Sequence, residues 1–99
     1  MLTVSETSSP LPHKYRLVGN YPNPFNPSTT IVYELPERGH VRMSVYDIMG
    51  GEVHVLVDAT RGAGIHELRV EAKLLPTGVY FYRMETPVGT FVGRMTLAK

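Results

Sequence analysis

The sequence predicts an all-β fold, an immunoglobulin-like antiparallel β-sandwich of about seven strands. Three observations predict it. Apolar residues alternate in short runs, turn residues recur about every 8–12 positions, and no window of about a dozen residues keeps a helical period. The 99 residues make one domain. A chain this size buries roughly two thirds of its unfolded surface, enough for one core and too little for a deep cleft.

Residues 1–14 read as a Ser/Thr/Pro-rich linker from an upstream domain, and residues 15–99 as the folded unit. Met1 is expected to open a fragment rather than a natural chain. Tyr15 to Asn20 stands as a candidate seventh strand beside six clearer ones. Thr29 to Leu35 alternates, with Ile31, Tyr33 and Leu35 on one face, until Pro36 to Gly39 breaks it. Val41, Met43 and Val45 share a face in the next run. Asp47 to Gly51 is a turn, with Gly50 placed for a positive φ. Val53, Val55 and Val57 follow at alternate positions, although Leu56 breaks the division of faces. Asp58 to Gly64, with two glycines, reads as a loop.

His66, Leu68 and Val70 then face one way, against Glu67, Arg69 and Glu71. Leu74 to Gly78 is a loop, and Val79 to Met84 is the most strand-prone run, aromatic and β-branched. Pro87 to Gly89 is a hairpin turn. The last strand, Thr90 to Ala98, sets Phe91, Met95 and Leu97 on one face. Gly93 falls there too and marks a bulge or a close approach.

Asn20 to Thr30 is the least ordinary stretch, with Pro22, Pro24 and Pro27 alternating with other residues. Each proline sets its own φ and biases the residue before it to extended geometry. The segment is expected to be a stiff crossover between sheets that needs no ladder hydrogen bonds. Asn23 and Asn26 would bond neighbouring backbone, and Tyr21 and Phe25 would pin the segment to the core edge.

Charge and composition exclude several classes. Lys and Arg nearly balance Asp and Glu, for a formal charge of +1, so nothing points to nucleic acid. No apolar run approaches the roughly 20 residues of a transmembrane segment. The first ten residues lack the charged and apolar regions of a signal peptide. Without cysteine there are no disulfides, thiolate metal sites or cysteine nucleophiles.

The chemistry of an enzyme is also missing. His13, His40, His54 and His66 have no metal-ligand spacing; only His54 and His66 would approach each other across strands. The acids Glu34, Glu37, Asp47, Glu52, Asp58, Glu67, Glu71 and Glu85 fall on turns or outward strand positions. No nucleophile elbow and no glycine-rich phosphate loop occurs. No cofactor, catalytic residue or metal ligand is assigned. Two non-catalytic alternatives are a structural immunoglobulin-like accessory module and a carbohydrate-binding module. The latter would use Tyr46, Phe81 and Tyr15 as exposed rings.

Three stretches, NYPNPFNPSTTI, YELPERGHVRMSVYDIMGGEV and LPTGVYFYRM, carry a specific resemblance. The chain resembles the type A C-terminal sorting domain of the type IX secretion system, a family similar to the immunoglobulin-like domain of flagellar hook-capping proteins. The resemblance covers residues from about 17 to 99. It implies a seven-stranded, non-catalytic sandwich closing a larger exported bacterial protein. That sandwich would be recognised in the periplasm by outer-membrane sorting machinery and delivered to the cell surface or beyond. The family's Pro-Asn-Pro element falls on Pro22, Asn23 and Pro24, and Gly50 is its turn glycine. The Gly-x-Tyr element falls on Gly78 and Tyr80, with Gly78 turning the chain and Tyr80 anchoring that turn. The terminal basic-apolar pattern falls on Arg94, Met95, Leu97 and Lys99, where the signal is expected to stop and where Arg94 and Lys99 would engage an acidic surface. Gly51 and Arg69-Val70-Glu71 depart from the pattern, which often carries a long polar residue and a Trp-Asp pair at those places.

Overall fold

The computed structural model describes residues 12–98. Residues 1–11, most of the expected linker, and Lys99 lie outside the described residues. Seven strands run as β1 (Arg16–Tyr21), β2 (Ser28–Leu35), β3 (Gly39–Tyr46), β4 (Glu52–Arg61), β5 (Gly64–Glu71), β6 (Gly78–Thr86) and β7 (Gly89–Leu97). They form two antiparallel sheets, ordered β1-β2-β5 and β4-β3-β6-β7. The fourth strand lies with the sheet of the third, sixth and seventh, a seven-strand arrangement of the immunoglobulin-like sandwich. The candidate strand at Tyr15 to Asn20 is β1.

The alternation read in the sequence builds the core. Ile31, Tyr33 and Leu35 of β2 face Val41, Met43 and Val45 of β3, with Tyr80, Tyr82 and Met84 of β6 and Met95 and Leu97 of β7 beside them. Inward residues two apart on each strand are what a pleated, one-side-buried strand demands. Tyr15 is also buried in this core rather than facing solvent.

Two expectations fail at β4. Asp58 to Arg61 is not a loop; the strand runs on, pairing Asp58 with Arg42 and Arg61 with Gly39. Its polar residues mislead because Asp58 and Thr60 are exposed while Val57 and Ala59 pack inward. Register shifts between Met43 and Ser44, and between Val45 and Tyr46, leave Leu56 and Val53 as extra residues on β4. These bulges turn the strand, so Leu56 packs on the core, Val57 is buried and Val53 is exposed.

The proline-rich segment is not a crossover between sheets. It joins β1 to β2, neighbours in one sheet, and its three X-Pro bonds are cis. Phe25 is buried as expected, at 2% exposure, whereas Tyr21 is 60% exposed and pins nothing. The segment also makes ladder bonds. The Phe25 amide donates to the Thr96 carbonyl at 2.9 Å, and the Ala98 amide donates to the Phe25 carbonyl at 3.0 Å, a parallel bridge to β7.

Candidate recognition end

Register brings the sequence-predicted positions to one end of the sandwich. Tyr46 pairs with Phe81, Phe81 with Arg94, and Gly78 with Leu97, while Phe25 bridges to Leu97. Pro22, Asn23 and Pro24, the Gly50 turn, the loop before Gly78, and the Arg94 end of β7 therefore share that end. The chain enters at the other end, where Arg16 pairs with Glu34 and the Tyr15 hydroxyl lies beside Gly39 and Pro87.

Asn23 does not bond its neighbours. Its amide nitrogen donates to the Arg94 carbonyl at 3.1 Å, and its carbonyl accepts the Thr96 amide at 3.0 Å. A side-chain amide carries one donor and one acceptor group, as a strand backbone does. Asn23 and the Phe25 backbone thus act as one short strand on the outer edge of β7. Pro22 contributes its carbonyl, which accepts the Thr29 hydroxyl at 2.8 Å. Pro24 and Asn26 are exposed.

Beneath this lies a polar triad that the sequence reading missed. Asn20 donates to the Thr29 hydroxyl at 3.2 Å and accepts the Tyr82 hydroxyl at 3.2 Å. Asn20 and Thr29 are buried, so each needs these partners. Tyr82 reaches across because Gly93, its register partner on β7, has no side chain; a Cβ there would stand 2.3 Å from the ring. Gly93 marks the close approach that the sequence suggested. Burial pushes the Tyr82 hydroxyl above its ordinary range, and Tyr21 adds to the shift.

Gly50 has φ +85°, the left-handed conformation expected of it. The turn is held by Asp47, whose carboxylate accepts the Met49 and Gly51 amides at 2.9 Å each. An Asp four residues before a second glycine was the available signal. Gly78 has φ +155° at the start of β6. Tyr80 is buried, and its hydroxyl donates to the Pro76 carbonyl. This ties the loop to the strand it enters, as the tyrosine corner of immunoglobulin domains does. Arg94 is exposed.

The outer face of β3, β4 and β6 is occupied by its own charges. Arg42 meets Glu52 at 2.9 Å, Glu85 at 3.4 Å and Asp58 at 3.8 Å. The hydrogen bond to Glu52 holds its guanidinium above the ordinary value. Arg83 lies 4.6 Å from the Tyr46 ring centroid and bonds its hydroxyl. Tyr46 is therefore half-buried under a cation, and Tyr15 is buried, so neither is the freely exposed ring that the carbohydrate reading needs. His54 and His66 sit on different sheets and do not approach; His66 stacks on Tyr33 at 5.0 Å. Among the described residues, no three His, Asp or Glu side chains group as metal ligands. A cleft of about 610 Å³ between β4 and β5 is lined by Val53, Leu56, Leu68 and Leu75 over Val45 and Met95. That lining is mostly aliphatic, with His54, Arg69, Glu71 and Lys73 also on it.

No helix among the described residues is long and apolar enough to cross a membrane. Neither curated proteins nor solved structures gave a match to the chain. The family described as the secretion system C-terminal sorting domain matches residues 20–97, from the buried Asn20 to the last residue of β7. With that match spanning both sheets and every described motif position, the chain belongs to the secretion system C-terminal sorting domain family.

Proposed function

We propose that residues 15–99 are a non-catalytic address that takes a larger bacterial protein through the periplasm and outer membrane to the cell surface, with residues 1–14 as the linker to that cargo. Within the family, the reading assigns the domain to the type A signals of the type IX system and to the immunoglobulin-like relatives of flagellar hook-capping proteins. The observation that carries it is the family match over residues 20–97, joined to the clustering of the motif positions at the end away from chain entry. An address read by a large machine needs an exposed, rigid surface far from the attached cargo. Asn23 and Phe25 supply rigidity at that end, Gly50 and Asp47 shape the adjoining turn, and Tyr80 fixes the loop ahead of Gly78. Pro22, Asn23, Pro24, Gly50, Gly78 and Tyr80 accordingly hold the surface in shape, and Arg94 and Lys99 are the charges presented to the receptor.

The test is a fusion of residues 15–99 to a fluorescent reporter carrying an inner-membrane export signal, expressed in a host with type IX machinery. The expected result is reporter on the surface or in the medium. Reporter that stays in the periplasm, with the domain intact, overturns the reading.

A further inference from the structure

The edge of β7 is covered over only half its length. From the Arg94 carbonyl to the Ala98 amide its outward backbone groups are taken by Asn23 and Phe25. Those groups belong to even-numbered residues, and strand alternation makes Thr90 and Val92 point their backbone the same way. The odd-numbered residues bond to β6, as in the pairs Phe91 with Met84 and Gly93 with Tyr82. β7 is the last strand of its sheet, and among the described residues no strand is hydrogen-bonded to Gly89–Gly93 on the outer side, although β1 approaches β7 across the gap between the sheets. Val92 is 63% exposed.

The gap between the sheets on this side is likewise half filled. Phe25 plugs it beside Thr96 and Leu97. One step along, the gap stays open as a cleft of about 340 Å³ lined by Gly19, Asn20, Tyr21, Asn23, Tyr82 and Arg94. Its lining is polar. Among the described residues Arg94 has no carboxylate partner, in contrast to Arg16, Arg42, Arg69 and Arg83.

We propose that this open edge, with the cleft beside it, binds an extended acidic segment of another polypeptide by strand addition. The segment bonds the backbone of Thr90 and Val92 and the amide of Arg94, and its carboxylate side chain enters the cleft and pairs with the Arg94 guanidinium. Strand addition takes affinity from main-chain bonds and specificity from pockets for alternate side chains. The molecule already shows both parts on the same strand, where Phe25 bonds the edge through its backbone and fills the gap with its ring. A carboxylate is selected because an unpaired guanidinium beside a polar cleft forms charge-assisted bonds with it. The edge binds such a segment whether or not export machinery supplies it.

The experiment titrates the isotope-labelled full chain with a blocked peptide of alternating threonine and valine bearing one central glutamate, and with its glutamine counterpart, while backbone amide shifts are followed. Saturable shifts centred on Val92, Arg94 and Gly19 to Tyr21 are expected. Binding should weaken about tenfold for the glutamine peptide and for Arg94→Gln, the loss of one charge-assisted bond. Val92→Pro removes only an outward amide and should abolish binding while leaving the other shifts in place; if that chain unfolds, Arg94→Gln carries the test. No binding, shifts centred on β4 or β5, equal affinity for both peptides, or equal binding by a folded Val92→Pro overturns the proposal. Peptide-free, concentration-dependent shifts at Val92 overturn it too, because they assign the edge to a second copy of the chain.

Discussion

At position 93 a single methyl group decides whether β6 and β7 can keep their spacing. A Cβ there meets two ring carbons and the hydroxyl oxygen of Tyr82 within 2.6 Å, and that side chain is wedged between β7 and Asn20. Gly93→Ala should therefore destabilise the domain by about 1–3 kcal/mol, as overpacking does. Pairing it with Tyr82→Leu should recover part of the loss, and a double-mutant cycle in urea measures the coupling. The Tyr82 hydroxyl also makes stability fall at high pH. Its folded pKa lies above the ordinary 10.0, mainly through burial, and Tyr33 is shifted the same way by burial, with Arg61 opposing. Below pH 10 both states hold the protons and the effect is constant. Above it the unfolded chain ionises first, so stability declines until the folded tyrosines also ionise. Urea midpoints from pH 8 to 11 should show that decline, and Tyr82→Phe should make it shallower. Gly93 was legible in the sequence as an interruption on an apolar face. The triad of Asn20, Thr29 and Tyr82 was not, because its members are separated by up to 62 residues and polar contacts have no period.

Among the elements, the segment between β1 and β2 departs most from its sequence reading. Prolines suggested a free-standing brace, and Asn23 suggested a local turn. Both inferences stop at nearest neighbours, whereas the segment's bonds reach 71 and 73 residues along the chain. Its two aromatic residues looked equivalent and are not. Phe25→Ala should cost about 3–5 kcal/mol, the usual range for a buried ring. Tyr21→Ala should cost less than about 1 kcal/mol, because its ring is exposed. Denaturant melts of the two variants check the contrast. Asn23→Ala removes two bonds to β7 and should cost about 1–2 kcal/mol. Its signature is faster hydrogen exchange at the Thr96 amide, with the β2–β5 ladder unchanged. β4 was misread for a related reason. Bulges shift the period midway, and a strand edged by Asp58, Thr60 and Arg61 looks like a loop until β3 is seen paired with it.

For the molecule as a whole, alternation, turn spacing and absence of helical period were enough to read seven strands and one core. Which strands share a sheet was not legible, because period two reports a buried face and not a neighbour. The clustering of motif positions at one end follows only from register. The sandwich is closed by packing and hydrogen bonds with no disulfide, since the chain has no cysteine. Its Tm should be the same with and without a strong thiol reductant, and a scanning calorimeter checks this directly. A domain without cysteine has no thiol chemistry to change between reducing and oxidising conditions.

The position of β7 also has a temporal side. Synthesis delivers β1 first and β7 last. Until β7 emerges, Phe25 has no Thr96 or Leu97 to rest against, and Tyr82 has no Gly93 to pass. A nascent chain that has reached only β6 is thus an unsealed shell with its aromatic lining open to water. Closure waits for β7, so a finished sandwich certifies that this strand has been made.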